Sequence, residues 1–136
     1  MTATLLITRP LPQAVEAAAR QHFDVTARQS TAPLTAAELR AALRDYDAVL
    51  PTLGDLFSAE VFADVPQPRA KILANFGVGY NHINADAARA CGVAVTNTRG
   101  AVSDATADVA LARSLVRARR AGEGERVPRD GHWQGW

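Results

Sequence analysis

Short apolar runs separated by amphipathic stretches set the pattern of this chain. Five runs read as strands: Thr4–Thr8, Phe23–Ala27, Ala48–Leu50, Lys71–Asn75 and Val93–Thr96. Continuous apolar stretches such as Ile72-Leu73-Ala74 suit strands covered on both faces, as in a parallel sheet. The segments between them read as helices. Pro12–Gln21 begins with a proline where a missing N–H costs nothing. Thr35 followed by Glu38 forms a capping box that opens a helix over Ala36–Arg44. Asn84 caps Ala85–Ala90, and Gly92 closes it as a left-handed residue.

Strand–helix alternation with short connections predicts an α/β domain with a five-stranded parallel sheet and helices on both faces. Such sheets bind ligands at the carboxyl ends of their strands. The residues to inspect are therefore Arg9, Pro51-Thr52-Leu53, Phe76–Tyr80 and Asn97–Gly100. Beyond residue 100 the texture changes. Ser103 is expected to cap a longer helix reaching about Arg120, with Ala105, Val109, Ala112 and Val116 on one stripe. Gly122 and Gly124 break the pattern, so 121–136 reads as an aperiodic tail. It carries Trp133 and Trp136, large aromatics that call for a surface to pack on.

Composition narrows the classes. The 136 residues suffice for one hydrophobic core, and 48% hydrophobic with 21% charged residues excludes a disordered chain. A net charge of +1 gives no drive toward nucleic acid or an anionic membrane. The single cysteine, Cys91, permits no disulfide framework and reads as a small packing residue, in keeping with a cytoplasmic protein. Met1–Pro12 lacks the features of a secretory signal, and no apolar run approaches membrane-spanning length.

The segment Asn75-Phe76-Gly77-Val78-Gly79-Tyr80 follows a strand and precedes a helix. Glycines there let main-chain N–H groups approach an anion unobstructed. Taken alone, G-x-G reads more readily as a tight strand-to-helix turn. It is not the dinucleotide fingerprint, since His82 stands where the third glycine would be. The surrounding stretch, KILANFGVGYNHINADAARACGVAVTNTRGAVSDATAD over residues 71–108, closely resembles the D-isomer-specific 2-hydroxyacid dehydrogenases, with the N-F-G-V-G-Y-N-H wording most like glyoxylate/hydroxypyruvate reductases. The likeness reaches back weakly through Asp47–Pro51 to Leu5, and forward to Arg129–Trp136, which looks like an R-x-G-x-W-x-G-W run.

That resemblance implies a flavodoxin-like substrate domain over 1–100, an inter-domain connecting helix over 101–120, and a 121–136 tail leading toward a Rossmann cofactor domain that the 136 residues lack. It implies an oxidoreductase acting on CH–OH groups, moving hydride between NAD or NADP and a small 2-keto or 2-hydroxy acid such as glyoxylate or hydroxypyruvate. The main chain at Val78 and Gly79 would bind the substrate carboxylate, Leu53 would wall the substrate in, and Thr106 would touch the cofactor. No catalytic residue and no metal ligand is expected in this chain. The family's catalytic arginine, glutamate and histidine lie further on, and His82 is read as a surface or helix-entry residue. Negligible turnover by the 136 residues and an uncovered apolar face on the sheet are expected.

Two departures stand out. Arg113, Arg117 and Arg120 share one face of the long helix, where the resemblance implies subunit pairing; a solvated basic face is expected instead, which places the usual homodimer in question. Arg99 and Asn84 stand where proline and aspartate are common in the family. Two other classes remain to be weighed. One is a non-catalytic interaction module that pairs with a partner. The other is a phosphoacceptor receiver domain, which needs aspartates at strand ends; none ends the first or third strand here.

Overall fold

The computed structural model describes residues 2–135. The chain forms two compact units, 1–99 and 100–136. In the first, β1 (Thr4–Ile7), β2 (Asp24–Ala27), β3 (Ala48–Leu50), β4 (Ile72–Ala74) and β5 (Ala94–Thr96) make one sheet in the order β2-β1-β3-β4-β5. Every pairing is parallel. The α/β class and the five parallel strands are those the apolar runs predict. Four of the five strands are shorter than their runs by one or two residues, because the ladder ends where the chain turns into the loops.

The register Leu6↔Val49, Val49↔Leu73 and Leu73↔Val95 aligns one row of side chains on one face. Against it pack α2 (Ala36–Asp45), α3 (Ala59–Ala63) and α4 (Ala85–Ala90), burying Leu39, Leu43, Phe62 and Ala88 in the main core. Cys91 is half-buried against this cluster, a packing residue as expected. The opposite row, Leu5, Ile7, Val25 and Ala48, forms a second cluster joined by Ala19 of α1 (Gln13–Arg20). Cover on that face fades toward β5: Leu50, Ile72 and Ala74 are half-buried, and Ala94 and Thr96 are exposed.

Local signals hold where the chemistry is local. Glu38 N–H donates to Thr35 Oγ1 while Thr35 N–H donates to Glu38 Oε2, which completes the capping box. Asn84 Oδ1 accepts from Ala87 N–H, and Gly92 takes φ +74°. The loop before β3 is closed by Asp47, which accepts from Thr4 N–H, Thr4 Oγ1 and the Arg69 guanidinium.

The second unit departs from the sequence reading. α5 runs from Ser103 to Ala118, with Val102 rather than Ser103 at its N-cap and no side-chain cap bond. The stretch read as an aperiodic tail contains α6 (Ala121–Arg129). Arg120 takes the left-handed conformation that ends one helix and starts the next. Ion pairs Arg120–Glu123 and Glu125–Arg129, spaced three and four residues apart, offset part of the cost of Gly122 and Gly124. No described residue of α5 or α6 is buried, and Trp133 is 66% exposed, so the surface expected to cover it is not found; Trp136 lies outside the described residues. No described helix is long and apolar enough to cross a membrane.

Candidate functional site

The sheet order places a switch between β1 and β3, whose following crossovers leave in opposite directions, and ligands of open α/β sheets bind near such points at the carboxyl ends. The loop after β4 is built around Asn75, which is only 2% exposed. Its main chain is tied to both neighbouring strands: Asn75 N–H donates to Thr96 O at 3.0 Å, and Phe76 N–H donates to Pro51 O at 2.9 Å. Its side-chain Nδ2 donates to Gly77 O at 3.1 Å and Gly79 O at 2.9 Å.

Further donors arrive from the end of β5. Thr98 N–H donates to Gly77 O at 3.1 Å, and Asn97 Nδ2 donates to Val78 O at 2.7 Å. Three successive carbonyls are therefore held. In a trans peptide the C=O and the following N–H point in opposite directions, and no cis peptide occurs here. Val78 N–H therefore points away from Asn75 and Thr98, which grip Gly77 O, and Gly79 N–H points away from Asn97, which grips Val78 O. Among the described residues neither N–H meets an acceptor, nor does Tyr80 N–H, whose peptide carbonyl is Gly79 O. Val78 is 40% exposed, and a Cβ added at Gly79 would meet nothing within 4 Å. Unpaired main-chain donors on an open loop suit a carboxylate.

Leu53 follows β3 and is 61% exposed. Its Cγ lies 3.9 Å from where a Cβ on Gly77 would stand, so it borders the loop after β4. Phe76 and Tyr80 add exposed apolar surface to the same loop. The Leu53 turn is braced from below by Asp55, fully buried, which accepts from Thr8 Oγ1 at 2.6 Å, Leu34 N–H at 3.1 Å and Thr52 N–H at 3.2 Å. Beside it Arg9 packs its guanidinium against Gly54, and Arg9 Nε and Thr52 Oγ1 are buried without a hydrogen-bond partner among the described residues.

His82 is half-buried, and its Nε2 stands 3.1 Å from Asn75 Oδ1. Burial holds its imidazole below the ordinary value, opposed by the charge of Asp55. It stands three residues before α4, at the helix entry, and reaches back to Asn75. Asn75 entered the sequence reading only as part of the loop segment, Asn97 and Thr98 only as strand-end positions, and Asp55 not at all.

Thr106 lies in the second unit, one turn into α5. Its N–H is already donated to Val102 O at 2.9 Å, so only its exposed hydroxyl is available to a ligand. Residues 80–84 separate the glycine loop from α4, so the loop does not lead directly into that helix's N-terminus. Asp86 is paired with Arg89 at 2.9 Å on the surface, and the described residues hold no cluster of metal ligands.

Residues 5–125 match the family described as D-isomer specific 2-hydroxyacid dehydrogenase, catalytic domain. The chain is 39% identical over 132 residues to a glycerate dehydrogenase of Hyphomicrobium methylovorum, an alignment covering 97% of this chain and 41% of that protein. It is 37% identical to a glyoxylate reductase of Thermococcus onnurineus, covering 98% of this chain and 40% of that one. Among solved structures, a putative NAD-binding D-isomer specific 2-hydroxyacid dehydrogenase from Polaromonas superposes with a TM-score of 0.82 at 32% identity, covering all of this chain and 42% of that one. An NADPH-dependent glyoxylate/hydroxypyruvate reductase from Sinorhizobium meliloti, in complex with NADP and malonate, gives 0.75 at 25% identity, covering 98% and 40%. The chain thus spans about two fifths of the length of the relatives it matches.

Proposed function

Given that this chain belongs to the D-isomer specific 2-hydroxyacid dehydrogenase family, we propose that its first unit holds the carboxylate of a small 2-keto or 2-hydroxy acid, of the glyoxylate or hydroxypyruvate kind, on the main-chain amides of Val78 and Gly79. The observation that carries this reading is the set of gripped carbonyls at Gly77 and Val78, with the two N–H groups on the far side of those peptides left without an acceptor among the described residues. Tyr80 N–H is a third available donor. Leu53 supplies the apolar border that a two- or three-carbon acid would rest against.

In this reading the residues of this chain bind and orient the acid and do not move the proton of its 2-hydroxyl group. A nicotinamide cofactor, NAD or NADP, would supply the hydride. Among the described residues Thr106 would offer it an exposed hydroxyl at the start of α5. The 136 residues contain no G-x-G-x-x-G. In this reading they form the substrate domain, with α5 as the connecting helix.

Binding is tested by titrating glyoxylate or hydroxypyruvate into the 15N-labelled 136-residue chain. The Val78 and Gly79 amide resonances are expected to move together and saturate. Unmoved loop amides, with shifts elsewhere, would overturn the reading. In a nicotinamide absorbance assay the 136-residue chain is expected to show negligible turnover.

A second reading has its own observation. The apolar stripe of α5, including Val109 and Val116, is exposed beside Arg113 and Arg117. It supports a non-catalytic role in which this helix pairs with a partner chain. Light scattering of the purified chain tests it: a monomer at all concentrations removes self-pairing as the explanation of that stripe.

A further inference from the structure

Resting on the carboxylate-binding reading above, we infer that His82 is a positioning residue of the amide loop, acting through the side chain of Asn75. The argument begins with the two carbonyls. Gly77 O and Gly79 O can only accept, so the Asn75 amide must face them with Nδ2, and both Nδ2 protons are used there. The orientation of this amide is therefore settled by its partners, and Oδ1 must point the other way.

Asn75 Oδ1 in turn faces His82 Nε2 at 3.1 Å. An amide oxygen can only accept, so the ring must carry its proton on Nε2. Burial of the ring disfavours the imidazolium, which leaves Nδ1 as the unprotonated nitrogen near neutral pH. A continuous relay results: His82 Nε2–H donates to Asn75 Oδ1, and Asn75 Nδ2 donates to Gly77 O and Gly79 O. Gly77 O belongs to the same peptide plane as Val78 N–H. The imidazole thereby fixes the plane that aims one of the carboxylate-binding amides. A histidine seven residues beyond Asn75 reaches back across the turn to do this.

The experiment uses the intact 136-residue chain and oxamate, a stable 2-keto acid analogue. In the parent, a His82 ring Hε2 proton is expected to be directly visible by NMR at neutral pH, held by Asn75, and lost to solvent exchange in Asn75→Ser. Oxamate affinity, read at the Val78 and Gly79 amides, is expected to fall about fivefold in His82→Ala, the equivalent of one ordinary hydrogen bond. His82→Gln, which retains an N–H donor, is expected to recover affinity to within about twofold of the parent. A half-buried, loop-borne histidine can be replaced without loss of the core, so His82→Ala reports on the site. Equal oxamate affinity in parent and His82→Ala, or a ring protonated on Nδ1, would overturn the positioning role while leaving the carboxylate site standing. A parent that binds no oxamate would instead remove the carboxylate reading itself, and with it the use assigned to His82.

Discussion

The guanidinium of Arg9 occupies the space that a side chain on Gly54 would need: its Nη2 lies 2.5 Å from the ideal Cβ position. Gly54 also sits at φ +110°, which residues with a Cβ rarely adopt. Gly54→Ala is therefore expected to destabilise the fold by about 1–3 kcal/mol, measured by urea unfolding. The contact is with the end of a long side chain, which can swing aside, so most of this cost is expected from the backbone. Adding Arg9→Ala is expected to recover only the steric share. Full recovery in the double variant would show that the collision, and not the φ angle, dominates.

Leu53, one residue earlier, is exposed and makes little of the core. Leu53→Ala is expected to leave folding stability within about 0.5 kcal/mol while weakening glyoxylate or oxamate binding severalfold. A large stability loss with unchanged binding would assign Leu53 to packing instead.

At the opposite end of the sheet, Asp47 joins Thr4 to Arg69. The Arg69 guanidinium, then the Thr4 amide and hydroxyl, hold its carboxyl well below the ordinary carboxylate value. A carboxylate depressed in the folded state adds stability above its unfolded value, near 3.8, and loses it as pH falls below that toward the folded one. Asp47→Asn is expected to lower the melting temperature at neutral pH and to flatten its decline below about pH 4. An acid limb as steep as the parent's would mean that other carboxylates drive it.

The reciprocal bonds of Thr35 and Glu38 start α2, whose Leu39 and Leu43 lie in the main core. Thr35→Ala is expected to cost about 1 kcal/mol in urea unfolding, with faster amide exchange in the first turn of α2. Loss confined to Glu38→Ala would show that the carboxylate carries the cap alone.

The α/β class, the strand positions, the Thr35 and Asn84 caps and the left-handed Gly92 were legible because each depends on residues close together in sequence. The helix at Ala121–Arg129 was not, since glycine content outweighed its charge pairs in the reading. Asp55 was missed because its partners, Thr8 and Leu34, come from 47 and 21 residues away. No local pattern marks such a brace.

The sequence alone determined that a glycine turn follows the fourth strand and that its composition matches one family of dehydrogenases. It could not say which way the peptide planes of that turn face. That was decided by Asn97 and Thr98, delivered by a neighbouring strand, and by Asn75 held against His82. A hydrogen bond between strands exists only once the sheet has assembled, so the direction of the Val78 and Gly79 donors is a property of the tertiary structure.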